Sequence, residues 1–204
     1  MRTSVVFLLA LSMSVTTLTA ADRPSREPEK GCKWEKLTDP ALGLEAWVER
    51  CDFGYRKVDL FVKGKSLDIR YSDGGAPEAM IDVIDLQAGE TPEAGLKRVF
   101  AAHTKKDVAK RCVLAPFKGE PVRSDVKRMT FVPNAAFQKE LDKKNAVEGS
   151  DGDIPEPPCG DFGDSPDGIQ YFEVQPGAPR VLFVRVGQDI PLFDEQTLKV
   201  LPLK

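Results

Sequence analysis

The sequence predicts an α+β domain, mainly antiparallel β-sheet, with two short helices inserted mid-chain and disulfides to brace it. Three observations carry that reading. Two runs of alternating apolar and polar residues flank Gly64-Lys65, the pattern of a β-hairpin. Only two short helical stretches are present, both inserted midway along the chain. The remaining strand-like runs follow one another through turn sequences, without the strand–helix rhythm of a parallel doubly wound sheet.

Taken in order, the 204-residue chain begins with Arg2, an apolar run from Val5 to Val15 broken only by Ser12 and Ser14, and a small-residue stretch ending at Ala20-Ala21. This is the pattern of a signal peptide over residues 1–21. The run is too short for the roughly 20 residues that a membrane-spanning helix needs, and no cysteine follows it for lipid attachment. Residues 22–31 hold no apolar side chain apart from two prolines and are expected to form a mobile N-terminal arm. The rest of the mature chain, 32–204, then reads as one globular domain. Removing the leader takes away only Arg2 among the charges, leaving 28 basic and 32 acidic side chains, net −4. That balance gives no case for nucleic acid or an anionic membrane as partner.

A strand is expected over 42–51, where Leu44, Ala46 and Val48 alternate with Glu45, Trp47 and Glu49. The hairpin follows, with Val58, Leu60 and Val62 in one arm and Leu67, Ile69 and Tyr71 in the other. Its glycine-first turn is of type II′. Met80 to Leu86 makes a further strand. Thr91-Pro92-Glu93 is a helix start, with a capping hydroxyl, proline at the first position and an acid in the first turn. Leu96, Val99, Phe100 and His103 then share one helical face. Strands are expected at 111–117 and 126–132. Asn134 caps a second helix over about 135–144. Residues 146–168 contain four prolines and five glycines and read as one long loop. Strands at 169–175 and 180–187 close the domain around Pro176-Gly177, with a short element of undetermined type at 194–201.

Four cysteines, Cys32, Cys51, Cys112 and Cys159, allow three pairings. The sequential pairing Cys32–Cys51 and Cys112–Cys159 closes the shortest loops. In the chain-entropy account, loops of 20 and 48 residues stabilise by roughly 3 and 4 kcal/mol. A zinc or redox centre is disfavoured, because no two cysteines have C-x-x-C spacing and there is one histidine. The leader and the bridges agree on a periplasmic or secreted setting.

Motifs for chemistry are sparse. No nucleotide-binding glycine loop and no G-x-S-x-G elbow is present, so no catalytic residue and no cofactor is assigned. His103 has a side chain suited to general-base work. Its place near the end of a helix, on the apolar stripe, accounts for it through the helix dipole and partial burial. The most unusual feature is charge segregation. Residues 97–144 carry thirteen basic and five acidic side chains. The next stretch has seven acids and no base: Glu148, Asp151, Asp153, Glu156, Asp161, Asp164 and Asp167. The Cys112–Cys159 bridge staples the second onto the first, so the two patches either neutralise each other or the acidic loop projects as a steering surface for a cationic partner. Asp151-Gly152-Asp153 and Asp161 to Gly168 offer oxygen ligands of the kind calcium takes, but neither has EF-hand spacing, and no metal site is assigned.

In general character the chain is similar to the periplasmic lysozyme inhibitors, which are small disulfide-bonded β-proteins. That resemblance implies a binding or inhibitor protein acting on a cationic envelope protein, such as a lysozyme or cell-wall hydrolase, and it carries over no individual residue. The alternatives are a structural or small-ligand or calcium-binding envelope protein, and a carboxylate-dependent hydrolase.

Overall fold

The computed structural model describes residues 23–54, 57–72, 78–118, 124–148, 159, 168–187 and 193–202, with the side chains of 144–148 and 168 left aside. Ten strands and three α-helices are described. They run β1 (Cys32–Asp39), β2 (Leu44–Cys51), β3 (Val58–Lys63), β4 (Ser66–Tyr71), β5 (Ala79–Asp85), α1 (Pro92–His103), α2 (Lys106–Ala109), β6 (Cys112–Pro116), β7 (Lys127–Pro133), α3 (Ala135–Glu148), β8 (Gly168–Val174), β9 (Arg180–Gly187) and β10 (Lys199–Val200). The architecture is α+β, and every strand pairing is antiparallel. The leader, 1–21, lies outside the described residues.

The strands form two sheets, one in the order β1-β2-β10 and one in the order β3-β4-β5-β9-β8-β7-β6. Side-chain alternation sends successive residues of the large sheet to opposite faces. One face carries Leu67, Ile69, Ile81, Val83, Leu182 and Val184, packed with Leu44, Ala46 and Val48 of the small sheet. The other carries Phe131, Phe172, Val181 and Phe183, packed with Leu96 and Phe100 of α1. The result is three layers: small sheet, large sheet, helices. β9 lies in the middle of the stack, with Arg180 to Val186 buried. This is why Val181-Leu182-Phe183-Val184 is the most continuous apolar stretch of the domain, since a strand covered on both faces does not alternate.

Local sequence fixes the turns. Gly64 has φ 60°, and no non-glycine residue among those described has a positive φ, so only the first turn position is left-handed, as type II′ requires. At Pro176-Gly177 the turn is type II instead: Gly177 has φ 70° and the Ala178 N–H donates to the Gln175 carbonyl at 3.2 Å. Thr91 caps α1 through Ala94 N–H at 3.2 Å, and Asn134 caps α3 through Phe137 N–H at 3.0 Å. Gly95 lets α1 sit down on the sheet, because a Cβ there would meet Leu86 Cδ2 at 2.4 Å.

Two expectations, the helix count and the start of the long loop, need correcting, and two stretches left without a type are resolved. β1 is a strand, though its sequence has no apolar face: both faces carry exposed charged residues, and its ladder to β2 and the Cys32–Cys51 disulfide hold it. A third, four-residue helix, α2, follows α1. α3 continues to Glu148, into the stretch expected as loop, because no glycine or proline interrupts the chain before Gly149. The terminal element resolves into a 3-10 turn over Glu195–Thr197 and β10, which pairs with β2. The expected mobile arm touches the domain at several points. Arg26 and the backbone N–H of Glu29 both meet the buried carboxylate of Glu49. The Arg26 guanidinium lies 4.8 Å over the Trp34 ring, whose N–H donates to the Arg26 carbonyl at 2.8 Å.

Both disulfides have the sequential pairing, Cys32–Cys51 and Cys112–Cys159. The first joins directly opposed residues of β1 and β2.

Candidate functional site

The helix face of the large sheet opens into a groove of about 640 Å³ between α1, α2 and the β6–β7 hairpin. Its floor comes from Phe100 on α1, Leu114 on β6, and Met129 and Phe131 on β7. The floor belongs to an aromatic column that runs through the helix-side core. Phe100 stacks on Phe131 with centroids 3.8 Å apart, Phe131 meets Phe172 edge-on at 5.8 Å, and Phe172 stacks on Phe183 at 4.6 Å. Such contacts fix ring positions more tightly than aliphatic packing does.

The rim is cationic. Lys97 stands three residues before Phe100 on α1, so it rides beside the floor on the exposed side of the same helix. Lys106 and Lys110 are four apart along α2 and its end, which places them on one side of that turn. None of the three forms an ion pair among the described residues, whereas other bases of 97–144 do. Arg98 is paired with Glu90 at 2.9 Å. Arg111 is paired with Glu140 and covers the Phe137 ring at 3.8 Å, holding α3 to β6. Arg128 reaches Glu195 at 2.8 Å on the other face of the sheet. Three of the arginines counted in the basic stretch are thus matched by acids outside the acidic loop, and the lysines at the groove keep their charge facing solvent. Glu93 is the single acid at the rim. Cys112, bridged to Cys159, closes one end.

The remaining polar clusters serve the fold. Arg128, Tyr171, Glu173, Gln175 and Glu195 form a buried network between the sheets. Tyr171 donates to Glu195 at 2.5 Å, Gln175 donates to Glu173 at 2.8 Å, and Arg128 lies 4.1 Å over the Tyr171 ring. Burial, with the Glu195 charge beside it, pushes the Tyr171 hydroxyl well above its ordinary range and keeps it neutral. Burial likewise raises the Asp194 carboxyl. Arg180 is buried against Gly43, with its guanidinium on Asp85 at 2.7 Å and the Leu201 carbonyl at 2.9 Å. A second cavity, about 630 Å³, lies between the 86–93 segment and the Pro176-Gly177 turn. At its edge Arg98 holds the Glu90 carboxyl down at about 2.

His103, expected to be partly buried on the apolar stripe of α1, is exposed at the last residue of the helix. The stripe is covered only as far as Phe100, and the final turn runs past the sheet. The acids Asp151, Asp153, Glu156, Asp161, Asp164 and Asp167, the side chain of Glu148, and with them the calcium-type stretches, lie outside the described residues. Among the described residues no group of three His, Cys, Asp or Glu side chains is placed to hold a metal ion. None of the described helices is long and apolar enough to cross a membrane.

The groove was not legible as a site in the sequence. Its lysines are visible only as part of a basic stretch, and its floor comes from three elements that fold together from distant positions. The one available signal was the Lys97–Phe100 and Lys106–Lys110 spacing.

No family model matches the chain, and no curated protein and no solved structure matches it either.

Proposed function

We propose that this chain is an exported, periplasmic or secreted, binding protein, and that the α1–α2–β6–β7 groove takes an amphiphile with a single apolar chain and an anionic head. The lysine-rimmed apolar groove carries this reading. Its volume lies within the roughly 300–1,000 Å³ typical of small-molecule sites. An apolar floor rewards burial of a hydrocarbon at about 25 cal/mol per Å². Lys97, Lys106 and Lys110 against Glu93 leave the mouth positive, which favours a carboxylate or phosphate over a cation. The groove lining includes no histidine, serine, threonine or tyrosine among the described residues, and its one cysteine is bridged. The groups with displaced titration, Glu90, Arg98, Tyr171 and Asp194, lie elsewhere. That composition suits holding a ligand rather than transforming it. Two disulfides fit an oxidising compartment, and the leader-like residues 1–21 support export.

The test is calorimetric titration of the purified domain with dodecanoate below its micellar concentration, beside dodecyltrimethylammonium. The reading predicts saturable one-to-one binding of the anion, at least tenfold weaker binding of the cation, and loss of the difference in a Lys97→Gln/Lys106→Gln/Lys110→Gln variant. Equal binding of both detergents, or of neither, would rule it out.

One observation favours a second reading, that of an inhibitor of a cationic envelope hydrolase. The Cys112–Cys159 bridge roots the acidic segment on β6. Mixing the protein with lysozymes of several types and following cell-wall lysis tests it; unchanged lysis and no complex on a sizing column would remove it.

A further inference from the structure

We propose that β3 is a self-association edge, along which two copies of the chain join their large sheets by antiparallel pairing about a two-fold axis at Phe61. β3 ends the seven-stranded sheet, and among the described residues no strand pairs with its outer side. Such an edge presents unpaired N–H and C=O groups and is a template for another strand. The other edges are blunted. β6, at the far end of the same sheet, finishes on Pro116, which has no N–H to donate, and is tied down at Cys112. In the small sheet, the edge strand β10 is only two residues long and the edge strand β1 exposes Lys33, Glu35 and Lys36, charges that deter pairing. β3 has neither proline nor glycine, and it exposes two large apolar side chains, Phe61 at 48 % and Val62 at 47 %.

The strand is self-complementary in charge. A two-fold axis normal to the sheet keeps each face continuous, so residues facing one another across the new ladder must share a face. Centring the axis on Phe61 sets the two Phe61 rings opposite each other, and it sets Asp59 opposite Lys63 twice. Shifting the axis one residue to Leu60 would set Lys57 opposite Lys63 twice. Opposite charges directly across a ladder stabilise it and like charges destabilise it, so charge selects the Phe61 register. A lysine on an edge strand normally deters pairing; here Asp59 of the second copy meets it. The positions are already ordered: Ser72 donates to Asp59 at 2.6 Å, and Arg70 lies 4.9 Å from the Phe61 ring centre on the neighbouring strand. One six-residue strand per copy is a small contact, in the transient class under about 1,200 Å². The dimer is therefore weak and dependent on concentration.

Sedimentation equilibrium over rising protein concentration tests this. The average mass should climb from one chain toward two. Lys63→Glu and Asp59→Lys, each placing like charges across the ladder, should abolish the rise, and the Asp59→Lys/Lys63→Glu charge swap should restore it. Phe61→Ser, at an exposed position that leaves both charges in place, should also abolish it, and covers the case in which an Asp59 variant fails to fold. A native mass that stays at one chain at every concentration overturns the proposal. A dimer untouched by Lys63→Glu and Phe61→Ser overturns it equally.

Discussion

The two faces of the large sheet are both apolar, and they are closed in different ways. Against the small sheet, aliphatic residues from six strands interlock around Leu182 and Val184, and the polar groups trapped there are paired inside the network of Arg128, Tyr171, Glu173 and Glu195. Against the helices, α1, α3 and the four-residue α2 cover an aromatic column without sealing it, and the shortfall is the lysine-rimmed groove. The three-stranded sheet packs closely over the middle of the large sheet, leaving Val113 and Ile169 exposed toward its β6 side, whereas a helix covers a stripe about 10 Å wide. The difference in closure is thus a difference in the shape of the covering element, and the incompletely covered face is the one with room for a ligand.

The comparison can be broken first by substitutions on the sealed side. Arg128→Ala removes the guanidinium that faces both Glu173 and Glu195, and leaving charge uncompensated in such a place costs about 3–5 kcal/mol. Leu182→Ala, fully buried, should cost about 2–5 kcal/mol, whereas Leu114→Ala at the half-buried groove floor should cost under about 2 kcal/mol. Urea unfolding of the three variants checks the order, and an equal loss for Leu114 and Leu182 would mean that the helix face is as tightly closed as the other.

The disulfides come next. Replacing Cys112 and Cys159 by serine should lower stability by roughly 4 kcal/mol and replacing Cys32 and Cys51 by roughly 3 kcal/mol, following loop length. Chemical denaturation of the two double variants measures both. Only the first pair borders the groove, so only its loss should also weaken dodecanoate binding.

The smallest effects are those of pH, and they differ in sign between the faces. On the sealed side, Tyr171 is raised above its ordinary 10.0, so its contribution is complete below pH 10 and is lost as alkali rises toward its folded value. On the helix side, Glu90 is lowered from 4.5 to about 2, so its contribution is complete above pH 4.5 and is lost as acid approaches pH 2. Thermal melting across pH should lose the acid limb in Glu90→Gln and the alkaline limb in Tyr171→Phe, each without affecting the other.

What could be read from the sequence follows the same division. The hairpin at Gly64-Lys65, the capped start of α1 at Thr91-Pro92 and the cap at Asn134 rest on neighbouring residues, and they stand as expected. The cysteine pairing also follows from loop length. β1 escaped because Lys33, Glu35 and Lys36 leave no alternation to see; its partner and its bridge make it a strand, not its own pattern. His103 drew notice as a lone titratable group, yet a helix wheel cannot tell where the covering sheet stops. The groove depends on Lys97, Lys106, Leu114 and Phe131 converging from four elements, and no local rule reports that convergence.

The most direct measurement follows methyl resonances during titration with dodecanoate. Carbon-13-labelled methyl groups of Met129 and Leu114 report the open face, and those of Ile81 and Leu182 the sealed one. The account predicts saturable shifts at Met129 and Leu114 with Ile81 and Leu182 unmoved. Saturable binding that leaves Met129 and Leu114 still, or that moves all four alike, would contradict it.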